Sequence, residues 1–268
     1  MSRGRRRRAL AVAAAAWLAG VVGVGAAAEN VQTIPSRPGV TQSFLLVRPP
    51  DRPVAAAVFF AGGNGALKLG SGRLGLAGNF LVRTRARFAE HGLLVAVVDA
   101  PSDHRAGLDG FRTTAAHAAD VQAVIAALRA AAAVPVWVVG TSMGTVSAAN
   151  AAARLSTGGP DGLVLTSSVT RQGRERSETV GDVRLKDVRV PTLVVHHRQD
   201  ACRATPYADT VALLRDFSTV PRRELLSFDG GSPPESGPCD ARAAHGYFGI
   251  EAEVVTAIAN WITATPRP

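Results

Sequence analysis

The chain has 268 residues, of which 47% are hydrophobic, so it can bury the core of one sizeable domain but hardly of two. Its formal net charge is +9, yet arginines among the first eight residues carry five of those charges and leave about +4 on the rest. The remaining arginines are scattered among acidic residues, so neither composition nor charge supports a nucleic-acid partner.

The first 28 residues are predicted to be a secretory signal peptide. The basic stretch MSRGRRRR precedes an apolar core, and the alanines at residues 26–28 form an A-x-A cleavage pattern. The paired arginines resemble a twin-arginine export signal. Residues 9–28 carry no charge, so an uncleaved anchor is the alternative, although alanine and glycine are weakly apolar and favour cleavage. The mature protein is therefore expected in the periplasm or outside the cell, without a stable membrane span.

Apolar runs and helical patterns alternate through the rest of the chain. In chain order we predict strands at 43–47 and 55–60, a helix at 79–91, a strand at 93–99, a helix at 111–132, a strand at 134–139, a helix after 142, strands at 163–168 and 191–197, a helix at 207–217, a strand at 223–229 and a helix at 249–262. The continuous apolar character of the middle strands is typical of a parallel sheet with helices on both faces. Residues 29–268 are predicted to form one doubly wound α/β domain, mostly parallel with an antiparallel start.

The motif GTSMG at residues 140–144 lies between a predicted strand and a predicted helix. A G-x-S-x-G sequence in that position is typical of a nucleophile elbow, in which a sharp turn exposes the serine hydroxyl and the glycines avoid clashes. The following helix directs free N–H groups towards a developing anion. We therefore predict that Ser142 is a nucleophile, rather than a small residue that only fits the turn.

A serine hydroxyl needs a base and an acid that orients the base. In an elbow-type fold both follow the serine, in the order acid and then histidine. Of the histidines after Ser142, His196 and His197 end a predicted strand and are interpreted as structural. His245 lies in a loop before the last helix, with Gly246 beside it to permit close approach. It is the predicted base.

Asp200 is the predicted acid, because it follows the strand at 191–197 directly, where a carboxylate could reach His245. Asp229, at the end of the next strand, is the main rival, and Asp240 is a weaker one. Aspartates after strands often only cap helices. Here Thr205 is predicted to cap the next helix and Pro206 to occupy its first turn, which leaves Asp200 free for chemistry.

The two cysteines, Cys202 and Cys239, lie near the predicted acid and base. No spacing of His or Cys around them suits zinc, and an exported protein favours disulfides. We predict that they form a disulfide that joins the acid-bearing loop to the base-bearing loop.

A glycine-rich loop, AGGNG at residues 61–65, ends the second predicted strand. Its backbone N–H groups could turn towards the serine and stabilise an oxyanion. We predict the N–H of Gly63, with Asn64 as a further candidate, together with that of Met143, the residue after the nucleophile. A flexible glycine turn is the alternative. No Walker or G-x-G-x-x-G spacing is present, which argues against nucleotide binding.

The motifs FFAGGNG, GTSMG, HHRQD and AHGYFG, in this order, resemble the α/β-hydrolase superfamily. The resemblance covers the whole mature chain and implies an eight-stranded sheet with a triad of Ser142, Asp200 and His245. The first loop departs from the HGGG of many lipases and esterases, and the elbow carries serine where relatives of dienelactone hydrolase carry cysteine. The resemblance implies no metal and no organic cofactor.

Residues 169–190 occupy the position where this superfamily often inserts a lid. The segment is short and polar, which indicates an open cleft for a small or polar acyl substrate. Arg171, Arg174 and Arg176 could line its rim, although solvated surface charges are the simpler interpretation. The predicted activity is ester hydrolysis. An acyltransferase, a small-peptide peptidase and a non-catalytic binding protein are the alternatives. The sequence does not indicate the oligomeric state.

Overall fold

A computed structural model describes residues 27–173 and 177–265 of the chain. The predicted signal peptide, apart from its last two residues, lies outside this part, as do Arg174 and Arg176. Among the described helices, none is both long and apolar enough to cross a membrane.

One eight-stranded sheet forms the centre of the molecule. The strands are β1 (Ala28–Arg37), β2 (Val40–Arg48), β3 (Ala55–Phe60), β4 (Leu93–Val98), β5 (Val136–Thr141), β6 (Gly162–Thr166), β7 (Thr192–His197) and β8 (Arg223–Phe228), in the spatial order β1-β2-β4-β3-β5-β6-β7-β8. The helices are α1 (Phe80–Glu90), α2 (Ala115–Ala131), α3 (Gly144–Arg154), α4 (Thr210–Asp216) and α5 (Glu251–Ala264). All neighbours from β4 to β8 pair in parallel, whereas β1 and β2 pair antiparallel. The predicted mostly parallel sheet is confirmed.

Helices cover both faces of this sheet, as the continuous apolar strands predicted. In β3, Val58 and Phe60 belong to a core shared with α2, α3 and α4, whereas Ala57 and Phe59 belong to a core shared with α1 and α5. Because side chains alternate between the faces of a strand, a strand buried on both faces must be apolar at every position. All six residues of β3 are buried accordingly.

The antiparallel start differs from the prediction in two ways. Residues 28–37 form an edge strand that sequence reasoning missed, because its ENVQTIPSR pattern is mostly polar and exposed. The strands predicted at 43–47 and 55–60, although joined by a short turn, are not neighbours in the sheet. β2 pairs antiparallel with β4, and β3 lies on the far side of β4.

The helix predicted at 111–132 begins later, at Ala115. The hydroxyl of Thr114 accepts a hydrogen bond from the N–H of His117, which caps the helix, and Thr114 N–H itself bonds to the carbonyl of Phe111 in a turn. Asparagine, serine and threonine at such a position supply an acceptor that the first turn of a helix lacks. The residues before Thr114 are therefore a turn rather than a helix.

His117 is buried on α2 among aromatic rings. Its ring lies 5.4 Å from that of Phe111 and 6.2 Å from that of Phe60, measured between centroids. Neither ring nitrogen has a hydrogen-bond partner among the described residues. Burial, with smaller contributions from the cations of Arg112 and Arg37, lowers the pKa of His117 to about 3. The imidazole is therefore neutral in the folded protein.

We expect His117 to make stability depend on pH. An unfolded histidine has a pKa of about 6.5, so between that value and about 3 the unfolded state binds one proton more. Stability should fall as the pH falls through this window, by up to about 1.4 kcal/mol per pH unit from this group. His117→Leu should reduce the change in the free energy of unfolding with pH, as measured by urea unfolding at several pH values between 4 and 6.5. His91→Gln, which alters an exposed imidazole, is the control, and equal slopes for wild type and His117→Leu would contradict the assignment.

Candidate active site

Ser142 occupies the sharp turn between β5 and α3, with φ at +52°. Few residues other than glycine adopt this left-handed conformation, so the turn holds strain of about 1–3 kcal/mol. The N–H of Ser142 bonds to the carbonyl of Thr166 on β6 at 3.0 Å. A Cβ on Gly140 would collide with the backbone of Gly144, and one on Gly144 with that of Phe60. The glycines of the motif are therefore required by close backbone packing.

His245 lies on a short 3-10 turn, Ala244–Gly246, in the loop that follows β8. Its carbonyl accepts a hydrogen bond from the hydroxyl of Ser167 at 2.8 Å, which fixes the turn against the end of β6. Its Nδ1 lies 2.9 Å from Oδ2 of Asp200. A histidine held in this way by a carboxylate presents its Nε2 for proton transfer.

Asp200 follows β7, and its side chain is entirely buried. Oδ1 accepts the N–H of Cys202 at 2.9 Å, and Oδ2 accepts the hydroxyl of Thr205 at 2.8 Å as well as Nδ1–H of His245. Nε2 of His196 lies 3.3 Å from Oδ2. Burial by itself raises the pKa of Asp200, but the contacts with His196 and His245 outweigh burial and hold that pKa well below its usual range. Asp200 is therefore ionised at neutral pH.

The rival acids do not pair with His245. Asp229 forms an exposed ion pair with Arg198 at 3.1 Å, and Asp240, which lines the same cavity as His245, accepts a hydrogen bond from the N–H of Gly237 at 3.1 Å. Neither aspartate hydrogen-bonds to the ring of His245. Of the aspartates considered from the sequence, the structure brings Asp200 alone to that ring.

Two neighbours of Asp200 make contacts that the sequence does not predict. The prediction that Thr205 caps the next helix is wrong: the 3-10 turn at Tyr207–Asp209 has no side-chain cap, and the Thr205 hydroxyl bonds to Asp200 instead. The ring of His196, predicted to be structural, bonds to the carbonyl of Thr205 at 2.8 Å and also reaches the Asp200 carboxylate. The polar run HHRQDACRAT directly after an apolar strand was the available signal, because those polar side chains that become buried there need partners.

Cys202 and Cys239 are joined in a disulfide, with their Cα atoms 4.6 Å apart. Cys202 belongs to the loop that carries Asp200, and Cys239 belongs to the loop that leads to His245. The bond therefore connects these two loops directly.

Ser142 and His245 line the same cavity, of about 460 Å³. Its walls come from two loops, one after β3 and one after β8; besides Ser142 and His245 the lining residues are Gly62, Gly63, Leu76, Gly78, Asn79, Phe80, Thr141, Ser236, Cys239, Asp240, Ala241, Arg242 and Gly246. A larger cavity, of about 620 Å³, lies between α2, α3 and residues 182–187, but no member of the candidate triad lines it. Within the described ranges, no cluster of His, Cys, Asp and Glu side chains could hold a metal ion.

Solved structures with a similar backbone include serine hydrolases and esterases. A serine hydrolase without a lid from Xanthomonas campestris has a TM-score of 0.59 at 20% identity, over 89% of this chain and 97% of that one. A dienelactone hydrolase from Anabaena variabilis has a TM-score of 0.56 at 16% identity, over 89% of this chain and 96% of that one. A carboxyl esterase from Bacillus coagulans has a TM-score of 0.62 at 13% identity, over 88% of this chain and 98% of that one. The chain has the α/β-hydrolase fold. By sequence, it matches no protein-family model and no curated protein.

The described residues of the segment predicted to hold any lid, 169–173 and 177–190, contribute to the core instead. Val169 is buried beside Met143, and Val180, Leu185 and Val188 are buried in the core on the α3 side. None of its described residues lines the cavity that holds Ser142. Arg171, considered as a rim residue, forms an ion pair with Asp209 at 2.9 Å, outside the cavity.

The glycine-rich loop at residues 61–65 lies beside Ser142, since a Cβ on Gly62 would lie 2.8 Å from Cβ of Ser142. Gly63 lines the cavity, whereas Asn64 and Met143 do not. The backbone N–H groups of all three donate to no described backbone group. Gly63 is therefore the strongest oxyanion candidate from the loop, and Met143 remains a candidate because it directly follows the serine.

Arg112, which the sequence analysis does not predict as a site residue, contacts the glycine-rich loop on the side away from the cavity. Its side chain is fully buried and donates to the carbonyl of Gly63 and to the hydroxyl of Ser147, both at 2.9 Å. Burial lowers the pKa of Arg112 to about 10, so the guanidinium keeps its charge at neutral pH. A cation anchored there fixes the loop and adds positive potential near the serine.

We expect Thr205→Val to destabilise the protein by about 1.5–3 kcal/mol at pH 7, because it removes a donor from a buried charge. Thr205→Ser keeps the hydroxyl and should restore most of that stability. Urea unfolding of the three proteins measures the effect. Equal stability of the valine variant and wild type would mean that the Asp200 carboxylate does not need this donor.

Removing the disulfide by Cys202→Ala with Cys239→Ala should lower stability by about 3–4 kcal/mol, since the bond closes a loop with a sequence separation of 37 residues. A reducing agent should destabilise wild type by a similar amount and leave the double variant unchanged. Urea unfolding with and without reductant makes the comparison. If the urea midpoint of the wild type is the same with and without reductant, the disulfide does not make the expected contribution to stability.

Proposed function

We propose that the protein is a serine hydrolase that cleaves an ester or related acyl bond of a small or polar substrate. The observation that carries this proposal is the contact of His245 Nδ1 with the buried carboxylate of Asp200, because His245 also lines the cavity that Ser142 lines. A strained serine, an oriented imidazole and an ionised acid form a nucleophile, its base and the group that stabilises the charged base.

The proposed reaction proceeds in two acyl transfers. His245 takes the proton of the Ser142 hydroxyl as Oγ bonds to the carbonyl carbon, and the π electron pair moves onto the carbonyl oxygen. N–H groups of Gly63 and Met143 stabilise that oxyanion. When the intermediate collapses, the bond to the leaving alcohol breaks and His245 returns the proton to the alcohol. Water then repeats the sequence on the acyl-enzyme, releases the acid and restores Ser142.

The cavity supports a small or polar substrate. Leu76 and Phe80 offer apolar contact on one wall, whereas the polar side chains of Ser236, Asp240 and Arg242 lie on the other. Arg242 is already paired with Glu235, so its charge is partly compensated. The described part of residues 169–190 does not cover the cavity, which favours an open site over an interfacial lipase. Ester-cleaving names among the structural neighbours support the same chemistry.

We further propose that the protein works in the periplasm or outside the cell. The disulfide supports this location, because such bonds persist in oxidising compartments and are rare in the cytosol. The proposed partner is a small acyl compound; neither a nucleic acid nor a stable membrane span is proposed.

Ser142→Ala should reduce hydrolysis of a chromogenic short-chain ester by at least about 10³-fold without changing the unfolding midpoint, because the nucleophile is lost and the fold is not. Ser218→Ala, an exposed serine away from the cavity, is the matched control. Unchanged turnover in Ser142→Ala would end the proposal.

The products and a fluorophosphonate label separate the alternatives. Esters formed in the presence of an alcohol would indicate an acyltransferase, and cleavage of short peptides in preference to esters would indicate a peptidase. A wild-type protein that neither turns over esters nor accepts the label at Ser142 would be a binding protein on this fold.

A further inference from the structure

Asn79 lies immediately before α1 and caps it. Its Oδ1 accepts a hydrogen bond from the N–H of Leu81 at 3.2 Å. This bond fixes the orientation of the planar amide, because the oxygen must face the helix and Nδ2 must then face away from it. The half-buried side chain lines the cavity that Ser142 and His245 share.

The Nδ2 atom of Asn79 lies close to the nucleophile. The point at which Gly62 would carry a Cβ is 2.8 Å from Cβ of Ser142 and 3.3 Å from Nδ2 of Asn79. The serine and the amide thus flank the same glycine, next to the loop whose N–H groups are the candidate oxyanion donors. Position 62 must be a glycine for all three to fit.

This amide still has its hydrogens available. Nδ2 of Asn79 donates to no acceptor in residues 27–173 and 177–265, whereas Nδ2 of Asn64 donates to the carbonyl of Ala106 and that of Asn150 to the carbonyl of Thr114. The half-buried Asn79 lines the cavity, so its Nδ2–H groups are open to a molecule bound there. Beside a nucleophile, the acceptor that such a molecule offers is an oxygen of the substrate.

We propose that the Asn79 side-chain amide is a third oxyanion donor, acting with the N–H groups of Gly63 and Met143; this inference rests on the proposed function. As Ser142 Oγ bonds to the carbonyl carbon, the π pair becomes a lone pair on the carbonyl oxygen, and Nδ2–H of Asn79 donates to that oxygen. A neutral donor fixed by a helix cap needs no reorganisation when the charge develops. Donors of this kind act on the transition state more than on the bound substrate.

Capping and donation can be separated by substitution. Serine and aspartate cap helices about as well as asparagine, so Asn79→Ser and Asn79→Asp should keep α1 intact. Serine replaces the amide by a shorter hydroxyl, which removes Nδ2 but keeps an O–H donor, whereas an ionised aspartate has no hydrogen to donate and adds a negative charge beside the oxyanion. Asn79→Asp is therefore the variant that separates capping from donation. Asn260→Ser makes the same chemical change at an exposed position on α5, outside the cavity. It serves as the matched control.

The experiment measures the rate at which a fluorophosphonate labels Ser142 and the kcat and KM for a short-chain ester. In Asn79→Ser we expect labelling and kcat to fall about 10²-fold with little change in KM, and in Asn79→Asp to fall further. Asn260→Ser should match wild type, and thermal unfolding should show the same midpoint for all the variants. A fall in kcat with little change in KM and an unchanged unfolding midpoint indicates a transition-state donor, whereas the loss of a helix cap would lower the unfolding midpoint.

Three results would overturn the inference. If Asn79→Ser and Asn79→Asp both label and turn over at the wild-type rate, Asn79 only caps α1, and the proposed function is unaffected. If Asn79→Ser loses activity and Asn79→Asp does not, the helix cap and not the donor is what matters. If wild type itself neither labels nor hydrolyses any ester, the proposed function fails, and the role of Asn79 fails with it.

Discussion

A buried carboxylate, that of Asp200, is the constraint on which the candidate site depends. An ion removed from water costs several kcal/mol unless donors replace its hydration. Here the donors come from separate parts of the chain: the backbone of Cys202 and the hydroxyl of Thr205 in the loop after β7, and the ring of His245 after β8. His196 at the end of β7 adds a further contact. Asp200 can therefore be both buried and ionised only after β7, the loop that follows it and the turn that carries His245 have come together.

Close backbone approach imposes the second constraint. The start of α3, the end of β3 and the elbow meet where side chains are excluded, as the collisions at Gly62, Gly140 and Gly144 indicate. The strained φ of Ser142 is retained because the strands on both sides hold its backbone. The same packing that exposes the serine hydroxyl thus brings the glycine-rich loop beside it.

The sequence predicted what is local or patterned. The parallel core followed from continuous apolar strands. The placement of Ser142 in a sharp turn and of His245 in a loop beside the same cavity followed from the order of the motifs after particular strands. The edge strand at 28–37 was missed because its polar pattern carries no periodic signal, and the separation of β2 from β3 depends on pairing with a distant segment. The roles of Thr205, His196 and Arg112 could not be predicted, since each depends on which buried group a polar side chain meets after folding.

The disulfide also makes a covalent ring of the chain from Cys202 to Cys239, and this ring includes α4 and β8. Loops at a protein surface are where proteases cut first. A single cut in the loops between these elements would leave both pieces attached through sulfur, so the acid-bearing strand and the cavity wall would stay tethered. The nicked chain would therefore come apart only after reduction of the disulfide.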